Sequence, residues 1–441
     1  MKFINTLKDI FKIEELKNKI LLTIGLIAVY RFMAAVPLPG IDPLQLSALK
    51  ESTSGGLLGL LNAFTGGAFA RASVMALGIM PYISASIVVQ LMGIAVPYLQ
   101  KLQKDGESGR KKITQITRWL TIVITLVQAP TYITAIKTQF NLPPEAFLVS
   151  GITFWISSII ILTAGTIFAM WLGERITDKG IGNGISLLIT VGIIANFPAA
   201  FLQEFLSKTE NAGAGGLMMV LIEIIVWFVV ILLTVLLVTA VRKIAVQYAR
   251  RTVAGSTQNV AGSRDYIPLK LNAAGVMPII FAQAIMFLPL ALGQKFPILV
   301  GLTDPNGWQY NVIFAILIII FSYFYTAITI PTNKMAEDLK RSGGFIPGIR
   351  PGKDTADRLD SVLSRITFPG SLFLAGLSIL PAIVVQFGVQ QGWSMFYGGT
   401  SLIIMVGVAI DTIQQINSYL LNNHYDGLMK PGNSNRKSNK Q

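Results

Sequence analysis

The sequence predicts an all-α polytopic membrane protein: ten transmembrane helices in two pseudo-symmetric, inverted halves, with one re-entrant half-helix. Three observations favour this fold class. The 441-residue chain is 52% hydrophobic and 13% charged, whereas a soluble domain carries roughly 25% charged residues. Ten apolar segments are long enough to cross a bilayer. The density of lysine and arginine alternates from one connection to the next, as the positive-inside rule requires.

The predicted spans follow one another along most of the chain. They cover residues 20–36, 74–97, 119–136, 152–172, 181–202, 217–241, 273–292, 311–330, 368–388 and 395–411. Before them, residues 1–19 alternate lysine with large apolar residues and predict a cytoplasmic amphipathic helix. No small-residue cleavage site follows, so we expect the first span to be retained. After them, residues 416–441 predict a basic, disordered cytoplasmic tail.

Lysine and arginine orient these helices. With the N-terminus in the cytoplasm, 30 of the 36 basic residues fall in cytoplasmic segments and five in outer segments, and Arg31 lies within the first span. This split predicts that both termini are cytoplasmic. The outer connection 203–216 then divides the chain into an N-terminal half, 20–202, and a C-terminal half, 217–415. The second half begins in the opposite orientation, as an inverted repeat would.

One apolar segment is too short to cross the bilayer. It reads GGLLGLLNAFTGG and is bracketed by two glycine pairs, Gly55–Gly56 and Gly66–Gly67. Non-helical backbone persists at membrane depth only inside protein or beside a water-filled cavity. We therefore expect a re-entrant half-helix over about residues 55–70, with the glycines supplying backbone freedom at its ends. A surface loop that carries a few apolar residues is the alternative.

Two cytoplasmic connections, 242–272 and 331–367, are longer than the 2–8 residues that usually join packed helices. They carry many of the basic residues, among them Arg250, Arg251, Lys340, Arg341 and Arg350. Long basic loops are typical of a docking surface for an acidic partner. The alternative is that they serve only as a topology signal and as contacts for lipid headgroups.

Several kinds of chemistry are not expected. There is no cysteine, and the only histidine is His424, so we expect no metal site and no cofactor. The Gly352–Lys353–Asp354 stretch lacks the hydroxyl residue of a phosphate-binding loop, so we expect no nucleotide hydrolysis and no enzyme. A secondary transporter or a membrane-embedded transferase remains as an alternative. An ion-coupled transporter needs ionisable residues near the midplane, and only Arg31 and Glu223 lie well inside the spans, with Asp411 at an edge. A transferase needs paired carboxylates or a metal cluster at a membrane face, and the sequence suggests neither.

Five motifs resemble the SecY family of bacterial protein-conducting channels, in order over about residues 10–430. They are PLPGID at 37–42, ALGIMPYISASIVVQLM at 76–92, WLGERITDKGIGNGISLLI at 171–189, GFIPGIRPG at 344–352 and GGTSLII at 398–404. The resemblance implies two hinged halves around an hourglass pore, with an aliphatic ring at the waist. It also implies that the half-helix plugs the outer funnel and that a side gate opens toward lipid.

The resemblance assigns roles to individual residues. The ring would comprise Ile79, Ile83, Ile185, Ile189, Ile280 and Ile404. The first four form two pairs spaced i, i+4, so each pair shares a helix face, as the side chains of any buried helix also can. A ring of branched aliphatic side chains would exclude a continuous water column without preferring any sequence in transit. Gln90 and Asn272 fall at side-gate positions; as an alternative, they are ordinary interfacial polar groups.

The resemblance also implies partners. The two long loops would dock the SecA ATPase or the ribosome, whose RNA would be bound through phosphate charge. Arg350 matches the family's loop arginine, and Arg250 and Arg251 lie on the other loop, where the basic run is shorter than is common in the family. SecE-like and SecG-like small membrane subunits, signal peptides, translocating polypeptides and the lipid bilayer complete the expected partners. The expected location is the cytoplasmic (inner) membrane.

Overall fold

The computed structural model describes residues 13–42, 46, 62, 64–138, 147–149, 151–210, 216–248, 264–292 and 307–429. Of the residues singled out from the sequence, Gly55, Gly56, Arg250 and Arg251 lie outside this described part. The chain divides into two compact units, with boundaries between residues 195 and 196 and between residues 407 and 408. The predicted halves, which divide at 203–216, stay a prediction.

The first unit is built from helices that pack pairwise. Its helices are α1 (Glu14–Ala35), α2 (Met80–Ala95), α3 (Pro97–Lys104), α4 (Gly106–Thr138) and α5 (Ile152–Lys179), together with the first part of α6 (Gly184–Glu210) and residues 408–429 of the last helix. Helix α5 packs against α1 and α4, and α4 packs against α2. Their shared core is apolar, and its fully buried members include Tyr30, Leu172 and Ile176.

The second unit holds the remaining helices and a small sheet. After the end of α6 come α7 (Gly216–Thr239), β1 (Val241–Tyr248), β2 (Arg264–Lys270), α8 (Met277–Leu292), α9 (Trp308–Thr329), α10 (Thr332–Arg341), β3 (Gly344–Phe345), α11 (Lys353–Gln386), α12 (Gln391–Ser394) and the start of α13 (Gly399–Met429). Helix α9 packs between α8 and α11, and α7 also contacts α11.

Eight helices in the described residues are long and apolar enough to cross a membrane, or nine if the bent pair α2–α3 counts as one span. The two predicted spans that give shorter helices are 74–97 and 273–292, which correspond to α2 and α8, each of 16 residues. Helix α7 is the most apolar span, with a mean hydropathy of 3.1. Its 24 residues reach about 36 Å, enough for the ~30 Å hydrocarbon core.

The bend between α2 and α3 measures 101° and has a cause in the sequence. Pro97 is the first residue of α3, and Val96 before it is extended, with φ −100° and ψ 114°. Proline excludes the residue before it from the helical region and removes one backbone donor. The predicted span 74–97 therefore stops where α3 turns away.

A three-stranded antiparallel sheet in order β2–β1–β3 lies in the two connections that the sequence singled out as long and basic. Its first two strands pair from Val241 opposite Lys270 to Gln247 opposite Arg264, and β3 adds Phe345 opposite Gln247. The helical prediction missed this sheet. The available signal was the large apolar residue at every second position, Ile244, Val246 and Tyr248, because a two-residue period is typical of a strand with one buried face.

Candidate functional site

The C-terminal part of the predicted re-entrant segment is held by side chains of the first unit. Arg31 of α1 donates from Nη1 to the carbonyl oxygen of Gly66 at 3.0 Å. Tyr132 of α4 donates its hydroxyl to the carbonyl oxygen of Phe69 at 2.8 Å. Asn62 accepts the amide of Ala70 at 3.0 Å through its Oδ1. These bonds fix the backbone at the end of the half-helix, and the role of Arg31 could not be read from its position in the first span.

Gly66 and Gly67 occupy the positive-φ region, at +66° and +85°. A Cβ atom on Gly66 would meet the guanidinium of Arg31 and would lie 2.9 Å from Cα of Gly192. Gly66 therefore satisfies two demands at once, a left-handed backbone and close packing against two neighbours. The assignment of Gly66 and Gly67 as hinge residues stays a prediction, as does that of Gly55 and Gly56.

Three of the four predicted ring isoleucines of the first unit lie in one apolar cluster. Ile79 is buried, and Ile83 and Ile185 are half-buried against the same core. Ala68, at the end of the predicted half-helix, and Met75, shortly after it, belong to that cluster and are 0% and 1% exposed. The fourth, Ile189, is also buried, at 7% exposure. The end of the predicted plug and the residues after it thus share one apolar cluster with residues predicted to line the waist.

The other two predicted ring residues belong to the second unit. Ile280 lies in the first turn of α8 and is half-buried, and Ile404 lies in the second turn of α13 and is 4% exposed. The six isoleucines thus come from α2 and its N-terminal flank, α6, α8 and α13. A closed ring of all six stays a prediction.

The predicted gate residues have different surroundings. Gln90 of α2 is exposed and donates from Nε2 to the Ser86 hydroxyl one turn earlier, at 3.2 Å. Asn272 precedes α8 and lines a small cavity with Ser322 of α9 and Ser371 of α11. Its buried Oδ1 accepts no hydrogen bond from the described residues. The Oδ1 of Asn272 can therefore still accept a hydrogen bond within the second unit. The side chain of Gln90, by contrast, is exposed on the surface of α2.

The sheet, α10 and the start of α11 form one compact body, here called the basic lobe. Its apolar centre consists of Val246, Leu339, Ile346 and Leu359, with exposures of 1% to 8%. Strand β1 contributes Val246, α10 contributes Leu339, and α11 contributes Leu359. The lobe is thus a folded surface built from both long connections, where the sequence predicted only basic loops.

Among the described residues on the outside of this lobe, ten exposed basic side chains stand against six exposed acidic ones. Lys340 and Arg341 end α10, and both are exposed. Arg350 is exposed on the turn before α11, and its carbonyl oxygen accepts the Thr355 hydroxyl at 2.8 Å. Further exposed members are Arg242, Lys243, Lys270, Lys334, Lys353, Arg358 and Arg365. The backbone of Arg350 is thus fixed while its side chain is free to reach a partner.

In the part of the chain that the structure describes, no group of three or more histidine or acidic residues could hold a metal ion. The residues described above offer steric and electrostatic chemistry. An apolar cluster excludes water, a fixed turn packs against it, and a basic surface attracts acidic groups.

Comparison with known sequences gives matches over nearly the whole length of the chain. A family model described as SecY matches residues 73–413, more than half of the chain. A protein from Haemophilus influenzae named Protein translocase subunit SecY is 40% identical over 431 residues, which cover 95% of both chains. Proteins of the same name from Bacillus subtilis and Streptomyces scabiei are 39% and 38% identical, covering 96% and 95% of this chain and 99% and 98% of theirs.

Solved structures share the fold at lower identity. One described as the structure of a protein conducting channel has a TM-score of 0.63 and 20% identity, covering 94% of each chain. A second structure has a TM-score of 0.64 and 21% identity, with the same coverage. Its description says that the plug domain of the SecY protein stabilises the closed state of the translocation channel. Sec61 in a canine ribosome-channel complex has a TM-score of 0.54, 19% identity and again 94% coverage of each chain. These neighbours confirm the predicted all-α polytopic fold class.

Proposed function

The chain belongs to the SecY family of protein translocase subunits, and from this membership we infer that it is the central pore-forming subunit of a translocon. It passes unfolded preproteins across the cytoplasmic membrane and releases membrane segments sideways into lipid. The family consists of channel subunits, and we propose that this chain catalyses no reaction and draws its driving force from partners.

The observation that carries the proposed pore is the apolar cluster of the first unit. Ala68, at the end of the predicted plug, and Met75, shortly after it, pack there with Ile79, Ile83 and Ile185. A plug whose trailing segment rests on the waist residues closes the path at rest and must leave them when a polypeptide enters. Branched aliphatic side chains disfavour a water column, so the seal is one of geometry and dewetting.

The side gate is proposed to lie beside α2 on one flank and α8 on the other. Gln90 lies on α2, and Asn272 lies just before α8. Carboxamides can bridge helices without introducing charge into the membrane. Support comes from the unsatisfied Oδ1 of Asn272, which would gain a hydrogen bond when a donor approaches.

The basic lobe is proposed to dock the SecA ATPase or the ribosome. The exposed Arg350, Lys340 and Arg341 supply charge on a folded support, with Arg250 and Arg251 on the adjoining connection. Binding to ribosomal RNA through phosphates would weaken as salt rises. SecE-like and SecG-like subunits are proposed to contact the lipid-exposed helices, and signal peptides to enter at the side gate.

The membrane orientation follows from charge. The basic lobe and both termini are proposed to be cytoplasmic, with the protein in the inner membrane of a bacterium. The charge asymmetry of 30 basic residues against five supports this orientation.

Reconstitution tests the proposed function directly. The purified chain is inserted into vesicles with SecE-like and SecG-like subunits, and SecA, ATP and a radiolabelled preprotein are added. We expect ATP-dependent protection of the preprotein from external protease, and none with an inactive SecA. Uptake of a small solute by the chain alone, together with no protected preprotein, would favour a secondary transporter instead.

A further inference from the structure

A buried charged cluster lies in the second unit and includes none of the residues assigned a role above. Glu204 and Lys208 of α6 meet Glu223 of α7, with Lys208 Nζ 3.8 Å from Glu204 Oε1 and 3.5 Å from Glu223 Oε1. The three side chains are only 2%, 8% and 6% exposed. Charged groups are seldom buried so fully, because each loses its hydration. A solvated surface pair is therefore excluded.

Two of these side chains hold the turn that follows α11. Lys208 Nζ donates to the carbonyl oxygen of Gly388 at 2.8 Å. Glu204 Oε2 accepts the amide of Gln390 at 2.8 Å. Since Glu204 and Lys208 are spaced i, i+4, they project from one face of α6 and reach the turn together. Both bonds involve a charged partner, so each is stronger than a neutral hydrogen bond.

The polarity of this arrangement is specific. The Lys208 ammonium, a donor, lies at the carbonyl oxygen of Gly388, and the Glu204 carboxylate, an acceptor, lies at the amide of Gln390. Each charged group thus meets the backbone group of complementary polarity. Gly388 has a φ of +85°, a conformation that favours glycine. The two side chains, called here the Glu204–Lys208 clamp, thus fix the turn by position and by direction.

Glu223 makes a different contribution to the cluster. Both of its oxygens accept no hydrogen bond from the described residues, and Glu204 Oε1 accepts none either. Glu223 therefore acts on the Lys208 ammonium across 3.5 Å and makes no bond to the turn itself. An unpaired ammonium in such a site would be costly, and Glu223 supplies a second counter-charge from α7.

The clamped turn leads into α13, which carries a predicted ring residue. Between them, Trp393 and Phe396 pack against Phe197 with ring centroids 5.3 Å and 5.2 Å away. Trp227 Nε1 donates to the carbonyl oxygen of Phe396 at 2.9 Å. Charged and aromatic contacts thus tie the whole segment from the turn to Phe396 against α6 and α7. Helix α13 begins three residues later, and Ile404 lies in its second turn.

We propose that Glu204 and Lys208 are positioning residues of the channel, which lock the turn after α11 onto α6 and so set where α13 begins. Glu223 holds the Lys208 ammonium in place for that contact. The consequence for Ile404 rests on the proposed pore, whereas the lock itself does not.

Hydrogen exchange of the full chain with its partner subunits, in lipid nanodiscs, tests the lock. Lys208→Met and Glu204→Met each remove one backbone contact, and we expect amides 388–397 to exchange about tenfold faster or more. Glu204→Gln keeps an acceptor oxygen and should exchange at an intermediate rate. Glu223→Gln leaves both backbone bonds in place and should have the smallest effect.

The chain offers a matched control. Glu107 and Lys111 form an ion pair of the same i, i+4 spacing, 3.2 Å apart, but their side chains are 84% and 78% exposed. Lys111→Met should leave exchange at 388–397 unchanged. If Lys208→Met fails to accumulate, pairing it with Glu223→Gln restores the cluster's net charge and keeps the test available.

Function is measured separately. With Lys208→Met we expect raised resting ion conductance, and with Lys208→Arg, which keeps a charged donor, conductance close to that of the unmodified chain. The proposal is overturned if Lys208→Met and Glu204→Met leave amides 388–397 protected, or if Glu223→Gln loosens them equally. Faster exchange with unchanged conductance would retain the lock and count against its link to the pore.

Discussion

At the scale of single residues, Gly66 is subject to two structural constraints that cannot be told apart from the sequence. Its φ is +66°, and the space for a Cβ is occupied by Arg31 and Gly192. Gly106 has the same φ of +66°, but a Cβ added there would meet no atom of the described residues within 4 Å. The two glycines therefore separate backbone strain from crowding.

We expect Gly66→Ala to destabilise the protein by more than Gly106→Ala, which should cost about 1 kcal/mol from the left-handed backbone alone. Crowding against Arg31 also displaces its hydrogen bond to residue 66. Thermal unfolding in detergent measures the stability, and resting conductance in planar bilayers measures the seal. Equal stability losses in the two variants would contradict the role given to crowding.

Ile83 is the residue on which the seal can be tested most directly. It is half-buried against the apolar cluster of the first unit, and a serine there would place a hydroxyl at the predicted waist. We expect Ile83→Ser to raise resting ion conductance severalfold, because a polar group favours a continuous water column. Val88→Ser on the exposed part of the same helix is the control, since Val88 is 38% exposed. Identical conductance in the two variants would refute a seal at Ile83.

At the scale of elements, the basic lobe separates folding from binding. Its centre is apolar, whereas its basic side chains point outward from α10, the sheet and the start of α11. A charge change on the outside should therefore alter partner binding without unfolding the lobe, as is usual for surface substitutions.

Arg350→Glu should strongly reduce SecA-driven translocation in vesicles, because it reverses charge at the docking turn. Arg358→Glu makes the same change in net charge at another exposed position of the lobe and is the control. We expect the control to retain most activity and both variants to resist protease equally. Similar losses for the two would mean that total charge, and not the position of Arg350, governs docking.

At the scale of the whole molecule, the membrane orientation inferred from the charge distribution can be tested with single introduced cysteines. The chain contains no cysteine, so an introduced one is a unique label. Leu148, 72% exposed, lies in a predicted outer connection, and Glu337 is exposed on the basic lobe. A membrane-impermeant maleimide should label Leu148→Cys in intact cells and Glu337→Cys only after lysis. The reverse pattern would invert the proposed topology.

Two of the five basic residues in the predicted outer segments have ammonium groups that contact other parts of the protein. Lys208 lies in the buried cluster described above. Lys137 lies among three aromatic rings, with Nζ 4.9 Å from the Phe154 centroid, 5.3 Å from Phe147 and 5.6 Å from Trp155. Cation–π contacts stabilise a lysine that is partly withdrawn from water. A count of basic residues treats these lysines as solvated loop charges, whereas the fold shows the groups that each lysine contacts.

Composition and periodicity alone determined that this chain crosses a membrane many times as helices, because an apolar segment in lipid must satisfy its backbone bonds internally. The positions of Ile79, Ile83 and Ile185 could be named by resemblance, yet only the fold showed that they share one cluster with Ala68 and Met75. The basic lobe and the Glu204–Lys208 clamp were decided by tertiary structure. Each joins segments about a hundred residues or more apart in the chain, and no local pattern encodes which distant backbone group a side chain will meet.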